Sequence, residues 1–188
     1  MQSATMILRQ EHDAILRMLD VTEEVARQLE RGEAVPAETL HGLLEFFRLF
    51  ADRCHHGKEE DLLFPLLERK GMPRDGGPIG VMLFEHDQGR TLVRRMTDSA
   101  AAYAAGDKAA AAPWALAARG YASMLRLHID KENNVLFMLA ERLLSDAEQE
   151  QLAQEFNRVE VEKMGVGTHE RLHALMDELS ASILGVTK

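Results

Sequence analysis

Two stretches of this chain place His and Glu four residues apart: His55-His56-Gly57-Lys58-Glu59-Glu60-Asp61-Leu62-Leu63-Phe64 and His128-Ile129-Asp130-Lys131-Glu132-Asn133-Asn134-Val135-Leu136-Phe137. Both read His, three residues, Glu, four residues, Phe, with Lys before the Glu and Leu before the Phe. On a helix, residues four apart stand one above the other on one face. Each stretch therefore presents an imidazole beside a carboxylate, a pair able to grip one metal ion or to bridge two. The alignment matches His55 with His128 and Glu59 with Glu132. The pair His56–Glu60 has the same spacing but no counterpart in the second stretch, and is set aside. A single such pair is commonplace on the solvated face of a Glu-rich helix.

The duplication extends upstream. Glu11-His12-Asp13 stands 43 residues before His55 (counted from His12), and Glu85-His86-Asp87 stands 42 before His128 (counted from His86). The chain thus reads as two copies of one unit, a helix with Glu-His-Asp followed by a helix with His-x-x-x-Glu. Repetition at fixed spacing is much harder to reach by chance than a short motif. Leu8, Ile15, Met82 and Leu125 flank the histidines at helical spacing, so the ligand faces point into the apolar interior. Burying four imidazoles and two carboxylates without a cation would be very unfavourable. The candidate metal ligands are His12, His55, Glu59, His86, His128 and Glu132. Six nitrogen and oxygen donors without a thiolate do not suit a closed zinc site, and calcium or magnesium would call for more oxygens. Imidazoles with bridging carboxylates suit two octahedral first-row ions, iron foremost.

The order His, His-x-x-x-Glu, His, His-x-x-x-Glu resembles the hemerythrin-like, HHE cation-binding family over about residues 5 to 144. That resemblance implies a non-haem di-iron centre held by these six residues, with Glu59 and Glu132 bridging. It further implies an oxo or hydroxo bridge and an open position for O₂, NO or peroxide. The chain departs from the oxygen carriers of the family in two places. Their additional His one turn after the third is Arg90 here, and the second carboxylate is Glu132 at i+4 rather than an Asp at i+5. The missing imidazole argues against simple reversible O₂ carriage and favours redox chemistry with O₂ or peroxide, NO sensing, or iron handling. An iron-binding, storage or sensing module without turnover is the alternative. The chain shows no Cys-bearing segment ahead of the bundle like that of the iron–sulfur repair relatives, which weighs against cluster repair.

The elements that must carry these residues are all helical, so the expected fold class is all-α. Gly and Pro mark the breaks. Helices are expected at about 5–31, from Pro36 through the first motif to Pro65, at about 79–105, and at about 108–144. Pro65 should end or kink the second. Counting from the four His to the neighbouring turns, at about 1.5 Å per residue, puts all four at one level of an up-down-up-down bundle. Metal sites are built in this way across four-helix cores. Residues 1–144 would form the bundle and 145–188 an extension of two more helices, one capped by Ser145 and one by Thr168.

That extension contains His169-Glu170-Arg171-Leu172-His173, a literal His-Glu-x-x-His. As a zinc-peptidase motif it lacks a well-separated third ligand, and the expectation is a helix packing Leu172, Leu175, Met176 and Leu179 on the bundle. A second possibility is that His169 or His173 folds back to supply the missing imidazole. Tyr121, two turns before His128, is expected in the core with its hydroxyl satisfied, or else approaching the site. Glu11, Asp13, Glu85 and Asp87 adjoin His residues in sequence and so cannot share the same face; they are left out of the site. The lone Cys54 is read as a small buried residue.

The 188 residues carry a net charge of −9, which argues against nucleic-acid or anionic-membrane surfaces. No run approaches a membrane span, and the first residues lack a secretion signal. One Cys fits a reducing cytoplasm.

Overall fold

A computed structural model describes residues 2–165 and 167–185; Val166, in the expected Gly165-Val166-Gly167 break, lies outside them. Among the described residues all regular structure is helical. Helix α1 (Ala4–Glu30) starts at Ser3, whose hydroxyl accepts from the Met6 N–H and satisfies one of the free donors of the first turn. It closes at Gly32, where φ of +75° suits glycine's freedom to enter the left-handed region.

The next rod is one continuous helix with two π-wound stretches, separated by α-wound Gly57 and Lys58. It comprises α2 (Ala37–Phe46), a π-wound stretch Phe47–His56, a second π turn Glu59–Leu63, and α3 (Phe64–Arg69). Pro65 does not end it. The proline falls in the first turn of α3, where a missing N–H leaves little unmade, and the wide turn before it accommodates the ring. Helix α4 (Gly77–Ala104) follows. The fourth rod repeats the pattern of the second: α5 (Ala111–Lys131), a π turn Glu132–Leu136 and α6 (Phe137–Leu143). The two matched π turns fall at equivalent positions of the sequence repeat. In each, the Phe N–H reaches back five residues to the carbonyl of the motif glutamate, Phe64 to Glu59 and Phe137 to Glu132. Such local rewinding is frequent where a helix serves a function.

Directions follow from the side-chain ties. Arg9 bonds to Asn133, Asp20 and Glu23 to Arg126, and Glu30 to Arg119, so α1 and α5–α6 run antiparallel. Asp52 bonds to Arg90, and the Val35 N–H donates to the Tyr103 hydroxyl, so the second rod and α4 are antiparallel too. Two apolar clusters fill the interior. One, around Leu19, Phe46, Phe47, Trp114 and Leu125, occupies the end near the α1–α2 turn. The other, around Leu8, Phe64, Met82, Phe137 and Phe156, occupies the opposite end. The polar residues of the repeat lie between them.

Helix α7 (Asp146–Met164) opens with a capping box in which Ser145 and Glu148 satisfy each other's N–H groups. It contributes Leu152, Ala153 and Phe156 to the second cluster. Helix α8 (Thr168–Leu184) lays Leu172, Met176 and Leu179 on the first. It comes close because residue 42 is glycine: a Cβ there would stand 3.3 Å from the Leu175 Cδ1.

Phe156→Ala is expected to lower stability by about 3–5 kcal/mol, because it empties a fully buried aromatic site. Phe84→Ala, at a position 63% exposed, should change it by less than about 0.5 kcal/mol. Urea unfolding of the two variants checks this, and equal effects would mean that α7 does not share the core.

Candidate metal centre

The six residues singled out by the repeat meet in the middle of the bundle, each 1% exposed or less. They form two facing groups. In one, the Nε2 atoms of His12 and His55 are 2.9 Å apart, with Glu132 Oε2 3.1 Å from His12 and Glu59 Oε1 3.6 Å from His55. In the other, the Nε2 atoms of His86 and His128 are 3.1 Å apart, with Glu59 Oε2 3.5 Å from His86 and Glu132 Oε1 3.3 Å from His128. Each glutamate therefore turns one oxygen to each group.

The outward face of every ring fixes its tautomer. His55 Nδ1 meets Glu11 Oε2 at 2.8 Å and His128 Nδ1 meets Glu85 Oε2 at 2.9 Å. His86 Nδ1 meets Glu60 Oε1 at 2.6 Å, and His12 Nδ1 meets Asn133 Oδ1 at 3.0 Å. Arg9 donates to the same Asn133 oxygen, which orients that amide. With the ring proton held at Nδ1, every Nε2 presents a bare lone pair inward. Two lone pairs at 2.9 Å repel unless a cation lies between them. The four oxygens of Glu59 and Glu132 are also buried without a hydrogen-bond partner among the described residues. This is a donor set of nitrogen and oxygen lone pairs that fits cations and little else.

The electrostatics agree for two of the four rings, while at His128 burial is outweighed by Glu132 and Glu85, which raise it above its ordinary value. Burial pushes His55 down to about 4, and burial together with nearby His56 pushes His86 down to about 3, so both rings stay neutral ligands. Burial and the facing Glu132 raise Glu59 well above the usual carboxylate range. Burial acts the same way on Glu132, but the neighbouring His128 and His12 outweigh it and hold that carboxyl low. Glu11 is kept ionised, at about 2, because the His55 bond and the Lys58 ammonium together overcome its burial.

Two groups of residues that the sequence did not disclose complete the site. Glu11 and Glu85 do not serve the histidines beside them; each reaches across to the second His of its own unit. Lys58 and Lys131, the lysines of the two motifs, bind those same carboxylates. The motif phenylalanines cross between units: Phe64 stacks over His86 at 6.0 Å and Phe137 over His12 at 5.4 Å. The second missed residue is His56. Its ring stacks on His86 at 3.8 Å, and its nitrogen falls within 4.8 Å of those of His86 and His128. The π winding over Phe47–His56 is what brings it in, since a wider turn narrows the angle between successive side chains and lets His55 and His56 address different groups. Only the backbone carries that signal. Arg90, at the position of the absent histidine, turns outward to Asp52, Glu60 and Asp87.

His169 and His173 stand elsewhere. Both rings pack against Phe50, at 5.7 and 5.6 Å, and His169 lies 3.7 Å from Glu160. Neither belongs to a group of converging ligand atoms among the described residues. Tyr121 packs edge-on against Phe47 and makes no hydrogen bond to the cluster. Cys54 is buried, and desolvation pushes its thiol up to about 12. It lies with Glu11 and Glu160 around the buried Lys58 ammonium, which supplies the positive charge there.

The model of the hemerythrin HHE cation binding domain matches residues 3–140. The chain belongs to that family. This hemerythrin-like chain is 29% identical over 158 residues to an uncharacterized protein of Mycobacterium tuberculosis, covering 84% of this chain and 61% of the relative. It is 33% identical over 145 residues to the iron-sulfur cluster repair protein YtfE of Musicola paradisiaca, covering 72% and 63%. The YtfE of an Enterobacter species is 32% identical over 120 residues, covering 60% and 53%. The chain thus spans little more than half to under two thirds of these relatives. No solved structure matches. Among the described residues no helix is long and apolar enough to cross a membrane.

Glu59→Gln is expected to leave the stability of the metal-free protein within about 1 kcal/mol, since burial and Glu132 already push Glu59 toward the neutral acid and an amide can likewise donate to Glu132. The same change should abolish the stabilisation gained on adding metal. Thermal unfolding in chelator and in ferrous iron reads both effects; a strongly destabilised chelated variant would refute the account of an electron-rich cavity.

Proposed function

We propose that this is an up-down-up-down bundle of hemerythrin type, in residues 1–144, that holds two iron ions and reacts with O₂, peroxide or NO. Residues 145–188 are assigned to an extension, of which α7 and α8 lie over its side. The observation that carries the reading is the double orientation of Glu59 and Glu132, each with one oxygen toward each histidine group. Two positions about one carboxylate width apart follow from it, one beside His12 and His55 and one beside His86 and His128, with His56 as a third imidazole on the second. The first position then has four protein donors and the second five. The His12 and His55 side would thus hold an ion with fewer protein donors, leaving more room there for a small ligand.

Bound iron supplies the redox capacity for the chemistry. The protein holds each ring by its Nδ1–H so that Nε2 stays free, keeps both carboxylates in place without competing donors, and covers the site with Phe64 and Phe137 to limit water. Glu11 and Glu85, with Lys58 and Lys131, hold negative charge behind His55 and His128 and strengthen those nitrogens as donors.

A second reading is iron handling without turnover, favoured by the similarity to proteins named for iron–sulfur cluster repair. The separating experiment is iron analysis with peroxide consumption followed over many equivalents. Wild type should hold about two irons per chain, His55→Ala fewer than about one, and His56→Ala about one, retained beside His12. Continued peroxide decay supports the redox reading; a single spectral change followed by none, with iron passing to a chelator, supports handling. Iron content indifferent to His55 and His128 would overturn both. Glu85→Gln, which leaves all ligands in place, should weaken iron binding by about 10–100-fold.

A further inference from the structure

We propose that a cavity beside His56 binds a small organic carboxylate with an apolar body. The cavity measures about 400 Å³ and is walled by Phe47, Val93, Tyr121, His56, Arg48 and Arg94 among others. That size suits a compact organic molecule.

Its charges are unusual for this chain. The protein carries a net −9, and the guanidinium of Arg90, also on this wall, is fully engaged by Asp52, Glu60 and Asp87. Asp52, the acidic group of the wall, is taken up by Arg90 and His56. Arg48 and Arg94 are exposed at the same cavity and make no ion pair among the described residues. Two unpartnered guanidinium groups on one mouth of an acidic protein leave a local positive field, and the planar fork of arginine matches a carboxylate.

Deeper in, the character changes. Phe47 is fully buried and meets Tyr121 edge-on at 4.8 Å, and Val93 faces them. Tyr121 is 3% exposed and contributes to the same wall. A molecule with its carboxylate at Arg48 and Arg94 and its apolar body against Phe47 and Val93 would satisfy both ends. It would also lie beside His56 without needing to coordinate metal.

Calorimetric titration with benzoate tests this, on the iron-loaded protein and on protein stripped by chelator. The expectation is saturable binding to one site in both forms, weakened about tenfold or more in Arg48→Gln/Arg94→Gln as a charge-assisted contact is removed. Val93→Trp, at a half-buried position lining the cavity, should abolish binding while melting temperature and iron content hold. Binding to the iron-loaded form alone would mean that benzoate coordinates iron, and would overturn the proposal without touching the metal reading. Equal affinity for benzyl alcohol, equal affinity for inorganic phosphate, or indifference to the arginine change would each overturn it as well.

Discussion

The structure depends on two glutamates that face each other in a dry interior. Glu59 and Glu132 have no exposed surface and no hydrogen-bond donor among the described residues, and four imidazole lone pairs converge on them. Without cations this arrangement is among the least favourable a bundle can contain. The surrounding chain is built to impose it. Two apolar clusters clamp the polar layer from above and below, while outward hydrogen bonds prevent the rings from turning to the tautomers that would relieve it. The fold thus stores an unfavourable contact that metal binding relieves, and metal and fold are coupled for that reason.

The two sequence units do not make two sites side by side; they make one site by exchange. Within a unit, Glu11 orients His55 and Glu85 orients His128. Between units, Glu60 orients His86, Asn133 orients His12, and each motif phenylalanine covers the other unit's first histidine. Glu59 and Glu132 likewise each turn one oxygen to the other unit's first histidine. A single unit would hold two imidazoles and one glutamate with neither cover nor complete orientation.

Against this near-symmetry the differences stand out. His86 is oriented by a carboxylate and His12 by a neutral amide, so the two rings are unequal donors. His56 adds an imidazole to one half only. Lys58 is fully buried under Glu160 of α7, whereas the side chain of its counterpart Lys131 remains 39% exposed. The extension therefore touches the orientation network of the His55 half and leaves the other open. These inequalities give the two histidine groups different surroundings.

The sequence by itself determined the helical class, the repeat and the six converging residues, because fixed spacing on a helix decides which side chains share a face. It determined the meaning of Arg90 only as an absence. What the tertiary structure decided was everything that depends on a neighbour: the pairing of Glu11 with His55 rather than His12, the stacking of Phe64 and Phe137, and the placing of His169 and His173 against Phe50. It also decided His56, whose recruitment rests on a π-wound backbone with no counterpart in residue type. Pro65 belongs to the same group, for a proline stops an ideal helix but passes in the first turn after a wider one. Periodicity is a local property legible along one chain, while winding and cross-helix contact arise only when the helices pack.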